Sequence, residues 1–263
     1  MKAFVFQGGL GNQIFEYAYY NILRKSKPNL GYIFPKGNNH NGFELDKWFD
    51  VSLTKGTFFD EWFYPIAKKM KELGIINLIA NKDVDPLMDK YYITGYFQNK
   101  SYLSDNFIQF RKIELSEENQ HFLNLMKSTE SIALHIRRGD YLVPPFDSIY
   151  GGICTEMYYK KAIKIAEKLF NTPSYFIFSN DMDWVKENFQ LNNAFYVECN
   201  TGKNSPVDMY LMIHAKANII ANSSFSFWGA YLNKGKSLVV YPKKWFNSKY
   251  SAPDIFPQEW IGI

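Results

Sequence analysis

Three short stretches hold the residue types that bind and transfer a charged group. The first, His135-Ile136-Arg137-Arg138-Gly139-Asp140-Tyr141, ends an apolar run that begins at Ser131. Side chains alternate across a strand, so His135 and Arg137 share one face while Ile136 and Arg138 share the other. A guanidinium at a strand end offers a planar fork matched to phosphate oxygens, and Arg137 is the arginine placed to use it. Arg138 reads as half of a structural ion pair. The second stretch is Asn222-Ser223-Ser224-Phe225-Ser226-Phe227-Trp228, between an apolar run and a helical pattern. Hydroxyls and unpaired N–H groups at a helix start make an anion cradle. Ordinary capping explains one serine well and three poorly. The third, Gly8-Gly9-Leu10-Gly11-Asn12-Gln13, follows a short strand and precedes a helix. Its glycines let backbone approach a ligand closely, although a plain strand-to-helix turn accounts for the same residues. The spacing is neither G-x-G-x-x-G nor G-x-x-x-x-G-K-[ST], so no standard nucleotide fingerprint applies.

Two acidic features carry competing readings. Asp181-Met182-Asp183 spells the D-x-D that holds a divalent metal in many nucleotide-sugar transferases, yet Asp181 also falls at an N-cap position, the reading preferred here. Asp208 follows Ser205 and Pro206 in the spacing of a capping box with proline at the first helical position.

The elements that must position these residues follow from apolar patterning. A strand is expected over 3–6, helices over 14–22 and 62–73, a strand over 91–97, and helices over 103–111 and 117–127. Residues 31–60 are mixed and carry no readable period. From Ser131 the rhythm is regular: strands at 132–138, 175–179, 195–199, 218–221 and 238–241 alternate with helices at 156–170, 182–189, 207–216 and 224–232. Short apolar strands alternating with helices predict parallel sheets covered on both faces. In open α/β sheets ligands gather at the carboxyl ends of strands, which is where the three stretches fall.

Composition narrows the function class. At about 150 residues per domain, 263 residues give one to two domains. The 46% hydrophobic and 21% charged content excludes disorder and collagen-like fibre. A net charge of +4 is too mild for a dedicated nucleic-acid binder and suits an anionic small molecule or loose contact with an acidic membrane surface. The lysines between Lys234 and Lys249 could make that contact, though a solvated face is the simpler account. Cys154 and Cys199 lack metal or disulfide spacing and read as free thiols in a reducing compartment. The opening apolar run is too short for a signal peptide, and residues 217–233, free of charge, are studded with Asn and Ser. The chain reads as soluble and cytoplasmic.

Taken in order, Gly8 to Phe15, His135 to Tyr141, and Asp208 through Asn222 to Trp228 resemble glycosyltransferase family 11, the inverting α-1,2-fucosyltransferases that use GDP-fucose. The resemblance spans about residues 4–242. It implies a GT-B-like α/β fold: two Rossmann-like domains with a cleft between them, 1–112 on the acceptor side and 113–245 holding the donor nucleotide. Residues 246–263 are expected to pack back on the molecule. It further implies Arg137 on the donor pyrophosphate, His135 near the nucleotide and Asp208 on guanine, in addition to capping or in place of it. Gly9, Asn12, Gln13, Ser223, Ser224, Phe225 and Ser226 would line pyrophosphate and fucose, with no cofactor and no metal. The implied reaction moves L-fucose from GDP-fucose to the 2-hydroxyl of a terminal galactose on an oligosaccharide or glycolipid, in bacterial surface-glycan synthesis. Arg137 would stabilise the leaving group and Asp140 would act as base; Glu16, His40 or a leaving phosphate oxygen are other proton acceptors. Peripheral contact with the inner membrane face would fit a glycolipid acceptor. Two rivals stay open: a metal-dependent transferase working through Asp181 and Asp183, and a non-catalytic carbohydrate-binding protein using its Trp and Tyr rings.

Overall fold

The computed structural model describes residues 2–35, 41–81, 90–247 and 252–263. The chain divides into two compact units, Met1–Ile113 and Glu114–Ile263. The sequence placed this division at 112.

The first unit contains β1 (Ala3–Val5), α1 (Leu10–Ser26), β2 (Gly31–Ile33), α2 (Leu45–Trp48), α3 (Phe58–Glu72), β3 (Ile79–Asn81) and β4 (Tyr92–Thr94). Its strands pair in the order β2-β1-β4-β3, all parallel. Ala3, Phe4 and Val5 are buried on both faces of the sheet, as a central parallel strand requires. A capping box starts α3: Asp60 N–H donates to Thr57 Oγ1 at 3.2 Å and Thr57 N–H donates to Asp60 Oδ2 at 2.7 Å.

The second unit contains α4 (Glu117–Ser128), β5 (Glu130–Ile136), α5 (Asp147–Tyr150), α6 (Glu156–Ala166), β6 (Pro173–Ser179), α7 (Met182–Asn188), β7 (Ala194–Tyr196), α8 (Pro206–Met212), β8 (Ala217–Ile219), α9 (Ser224–Tyr231), β9 (Leu238–Tyr241) and β10 (Ile261–Gly262). The six strands are parallel in the order β7-β6-β5-β8-β9-β10. Counted along the chain this is 3-2-1-4-5-6, the doubly wound Rossmann arrangement, with its switch point between β5 and β8. Alternate residues of β5 feed opposite layers. Ile132, Leu134 and Ile136 join Tyr159, Ala162 and Val185 on one side, whereas Ala133 joins Phe176, Phe178 and Leu211 on the other.

Several expectations change. The expected strand over 132–138 ends at Ile136, so both arginines lie just past the last paired residue. No helix forms over 103–111; Asn106 there has φ +55° and Phe110 pairs with Phe49 in an isolated antiparallel bridge. The unreadable 31–60 stretch supplies β2 and α2, elements too short to show a period. The last residues extend the sheet as β10 beside β9, and Phe256 stacks on Tyr241 with ring centroids 3.9 Å apart.

Candidate active site

Doubly wound sheets bind ligands beyond the carboxyl ends of the strands at the switch point. Arg137 stands just after β5 and Ser223 to Ser226 stand just after β8, so both flank that point in the second unit. His135 links them: its ring centroid lies 5.9 Å from that of Phe225 in the first turn of α9.

Arg137 is 29% exposed and is held from two sides. Its Nη2 donates to Asp140 Oδ2 at 2.9 Å, and its Nε lies 2.9 Å from Asp140 Oδ1. Its guanidinium carbon sits 5.6 Å from the centre of the Tyr141 ring. Tyr141 in turn stacks on Tyr150 and donates its hydroxyl to Asn222 O at 3.1 Å, which stitches the loop after β5 to the end of β8. Asn180, one residue past β6, donates Nδ2 to Asp140 Oδ1 at 3.2 Å and accepts Arg138 N–H on Oδ1 at 2.9 Å. That approach explains Gly139, where a Cβ would lie 2.6 Å from Asn180 Nδ2. Asp140, expected as a base, therefore has both oxygens engaged in holding Arg137 and Asn180. Its geometry is that of a positioning residue.

Arg138 turns to the opposite side. Its Nε donates to Asp181 Oδ2 at 3.0 Å and its guanidinium lies 3.9 Å over Trp184, the ion pair that alternation predicts. Asp181 accordingly makes no side-chain cap bond to α7, and the capping reading is corrected: its carboxylate pairs with the half-buried Arg138 instead of the helix amides. Among the described residues, no group of three His, Cys, Asp or Glu side chains is placed to hold a metal ion.

His135 is buried, and burial together with the neighbouring Arg137 lowers its pKa to about 3. It is a neutral imidazole at any working pH, so Arg137 keeps its charge without a cationic neighbour on the same face. Its Nδ1 is buried without a partner.

The start of α9 is uncapped. Ser223 occupies the N-cap with extended backbone but makes no side-chain cap bond, and no acidic residue lies in the first turn. Ser224 and Phe225 are partly exposed, leaving the first-turn amides as the open donors. Ser226, expected to line the ligand, is fully buried and turns its hydroxyl to Ser223 O at 3.2 Å and Ala221 O at 3.3 Å. Asn222 is also internal: its Nδ2 donates to Tyr150 O and Trp245 O, each at 3.2 Å, fixing the loop behind the helix start.

Asp208 does not form the expected capping box. Ser205 already has helical angles, φ −53° and ψ −28°, whereas a capping serine needs extended backbone, and no side-chain cap bond is made. Instead Asp208 Oδ1 accepts from Asn200 Nδ2 at 2.8 Å. Asn200 and Asn119 exchange reciprocal amide bonds of 2.8 Å, and Asn119 Nδ2 donates to Ser116 Oγ at 2.9 Å at the start of α4. Burial raises the Asp208 pKa to about 7, against the lowering effect of the Asn200 bond.

In the first unit, the glycine turn has one position that only glycine fills comfortably. Gly8 has φ +74°, and a Cβ there would come within 2.9 Å of Asn12 Nδ2. Gly8→Ala is expected to cost about 1–2 kcal/mol of stability, measured by denaturant unfolding. Gly9 is the N-cap of α1, whose first turn has no acid. Asn12 is partly exposed and accepts from Gln98 Nε2 at 3.2 Å. Gln13, expected among the donor contacts, is fully buried with its amide saturated. Nε2 donates to Gly8 O and Gly42 O at 2.9 Å each, and Oε1 accepts Glu44 N–H at 2.9 Å. It holds the turn in place. Glu16 is fully buried, accepts Gln7 N–H, and is pushed well above the usual carboxyl range by burial. A carboxyl sealed from solvent in this way is out of reach of a bound sugar's hydroxyl proton. His40 lies outside the described residues.

Sequence reasoning missed Asn180, Tyr141 as a tie, and the Asn119–Asn200 pair. Asn180 had a usable signal: it follows a predicted strand at its carboxyl end, the same level as Arg137. The asparagine pair had none, since its members are far apart in the chain.

The family model described as Glycosyl transferase family 11 matches residues 78–263. The chain is 30% identical to an alpha-1,2-colitosyltransferase of Escherichia coli, over 97% of this chain and 96% of that protein. It is 28% identical to galactoside alpha-(1,2)-fucosyltransferase 2 of Rattus norvegicus, over 56% of this chain and 45% of that one. Among solved structures, the fucosyltransferase NodZ from Bradyrhizobium superposes with a TM-score of 0.51 at 13% identity, covering 87% of this chain and 91% of NodZ. The fold is α/β of the GT-B class, with two Rossmann-like units.

Proposed function

The chain belongs to glycosyl transferase family 11, and from that membership we propose that it transfers L-fucose from GDP-fucose to the 2-hydroxyl of a galactose-terminated glycan. One observation carries the reading: Arg137 and the uncapped first turn of α9 stand together at the β5–β8 switch point. The reaction is a single in-line displacement. The acceptor oxygen bonds to the anomeric carbon as the bond from that carbon to the β-phosphate oxygen breaks, inverting β to α. The hydroxyl proton passes to an oxygen of the departing phosphate, which asks for no further protein base.

Charge grows on the β-phosphate as GDP leaves, and preorganised donors aimed at developing charge are the strongest catalytic device of this kind. Arg137 supplies a guanidinium and α9 supplies backbone amides, so the phosphates are balanced without a metal. Asp140 and Asn180 fix the guanidinium's direction. The partnerless His135 Nδ1 offers a neutral contact to the nucleotide, and Asp208 accepts N–H donors of guanine. The uncapped start of α1, with Gly9 and Asn12, is a second amide-rich turn available to an anionic ligand. The similarity to a colitosyltransferase favours one second reading, in which the donor sugar is colitose rather than fucose.

Calorimetric titration of GDP, GDP-fucose, GDP-colitose and UDP in excess EDTA, followed by linkage analysis of the product, tests the proposal. GDP and one GDP-deoxysugar are expected to bind, UDP is not, and the product is expected to be α-1,2-linked. Equal binding of UDP, or binding that appears only on adding magnesium, would overturn it.

A further inference from the structure

Helix α3 presents an apolar face that the described residues leave uncovered. Phe58, Trp62, Phe59 and Ile66 are 83%, 55%, 51% and 39% exposed, and the chain after the helix adds Leu73, Ile75 and Ile76 at 61%, 62% and 47%. At about 100° per residue, Phe58, Trp62, Ile66 and Phe59 fall within one arc of about 100°, opposite buried Asp60 and Ala67. The rings are pre-packed: the Phe59 centroid lies 5.9 Å from Trp62 and 5.3 Å from Phe63. Scattered exposed apolar residues are ordinary on a soluble protein, but a contiguous patch of this kind marks an interaction surface.

Charge identifies what the patch meets. The unit that contains α3 has 15 basic and 11 acidic residues, and the other unit has 15 of each, so the whole excess of +4 belongs to the unit with the apolar face. Lys68 and Lys69 are exposed on α3 itself; Glu61 and Glu72 are there too, with Glu72 3.9 Å from Lys69. A symmetric contact between two copies through this face would oppose two units of like net charge. An anionic bilayer surface receives the same unit with attraction. Trp and Phe rings sit well at headgroup level, and lysine stems reach past them to phosphate. Among the described residues no helix is long and apolar enough to cross a membrane, so the contact is with the surface. The lysines at 234–244, for which a solvated face is the simpler reading, have a single exposed large apolar residue near them among the described residues, Ile261 at 39% in β10.

We propose that the outer face of α3 and the turn after it dock on an anionic phospholipid surface. This does not depend on the donor or acceptor assigned above. The test is co-sedimentation of the full chain with vesicles of phosphatidylglycerol and phosphatidylcholine, and with phosphatidylcholine alone. Binding is expected to the anionic vesicles. The double variant Phe58→Ser/Trp62→Ser is expected to lose at least about tenfold in partitioning, since burying one such ring is worth about that factor. Lys68→Glu/Lys69→Glu is expected to weaken anionic-vesicle binding alone. GDP affinity and circular dichroism, unchanged in both, show that the fold is intact. Anionic vesicles that fail to bind the parent, or bind the Phe58/Trp62 variant equally well, overturn the proposal. So does a concentration-dependent dimer of the parent that the variant abolishes while vesicle binding is absent.

Discussion

Arg137→Ala is expected to lower kcat by at least about 10²–10³, the cost of removing one preorganised donor from a developing anion, while the fold stays intact. The folding half of this expectation rests on position: Arg137 lies past the last ladder residue of β5 and contributes no side chain to either core layer. The catalytic half rests on the proposed transfer, in which no metal shares the phosphate charge. Arg137→Lys should recover only part of the loss, because a point-charge ammonium cannot reproduce the two-pronged fork. Asp140→Asn separates positioning from proton acceptance. As a support for Arg137 it should lower activity by less than Arg137→Ala and leave the shape of the pH–rate profile unchanged. An Asp140→Asn enzyme that loses the acidic limb, the fall in rate at low pH, would instead make Asp140 the base. Near-normal turnover of Arg137→Ala would remove the guanidinium from the mechanism altogether.

The second large effect is expected at Asp208. In the proposed guanine contact, its pKa of about 7 means that the carboxylate that would accept the base's N–H bonds is only half formed at neutral pH. GDP affinity should therefore rise about tenfold between pH 6 and pH 8, following ionisation. Asp208→Asn should abolish that rise and weaken GDP binding by about 10–100-fold, the value of charge-assisted bonds lost from a buried acceptor. Stability should move the other way. The folded state holds this proton more tightly than the unfolded chain, so folding is favoured at low pH and the advantage is lost as pH rises from about 4 through about 7. Above that range the native protein carries a buried ionised carboxylate, and Asp208→Asn should melt higher than the parent there, with little difference near pH 4. Calorimetric GDP titration and thermal melts at matched pH check both halves.

The alternation of β5 through β9 with their helices was legible because each strand is a short, largely apolar run bounded by polar turns, buried except at the edge strand β7, and local patterning is enough to mark it. The opposed directions of Arg137 and Arg138 were legible for the same reason, from strand alternation alone. What escaped was decided by partners remote in sequence. Asp181 looks like a cap until Arg138 is seen beside it, and Ser205–Asp208 looks like a capping box until the helical backbone of Ser205 and the reach of Asn200 are known. Gln13 and Ser226 sit in stretches that look open to a ligand, yet packing turns both inward. The apolar residues near 103–111 suggest a helix, but Asp105 and Asn106 break it, and Asn106 takes a left-handed conformation.

The two arginines after β5 owe their separate destinies to a frame that counts in twos. Changing a residue in this stretch alters one contact. Adding or deleting one between Glu130 and Ile136 would exchange the faces of the pair, turning Arg137 toward the Trp184 side and Arg138 away from it. The segment can therefore drift in identity while its length is locked, and an engineer seeking new donor preference should replace side chains around it and never respace them.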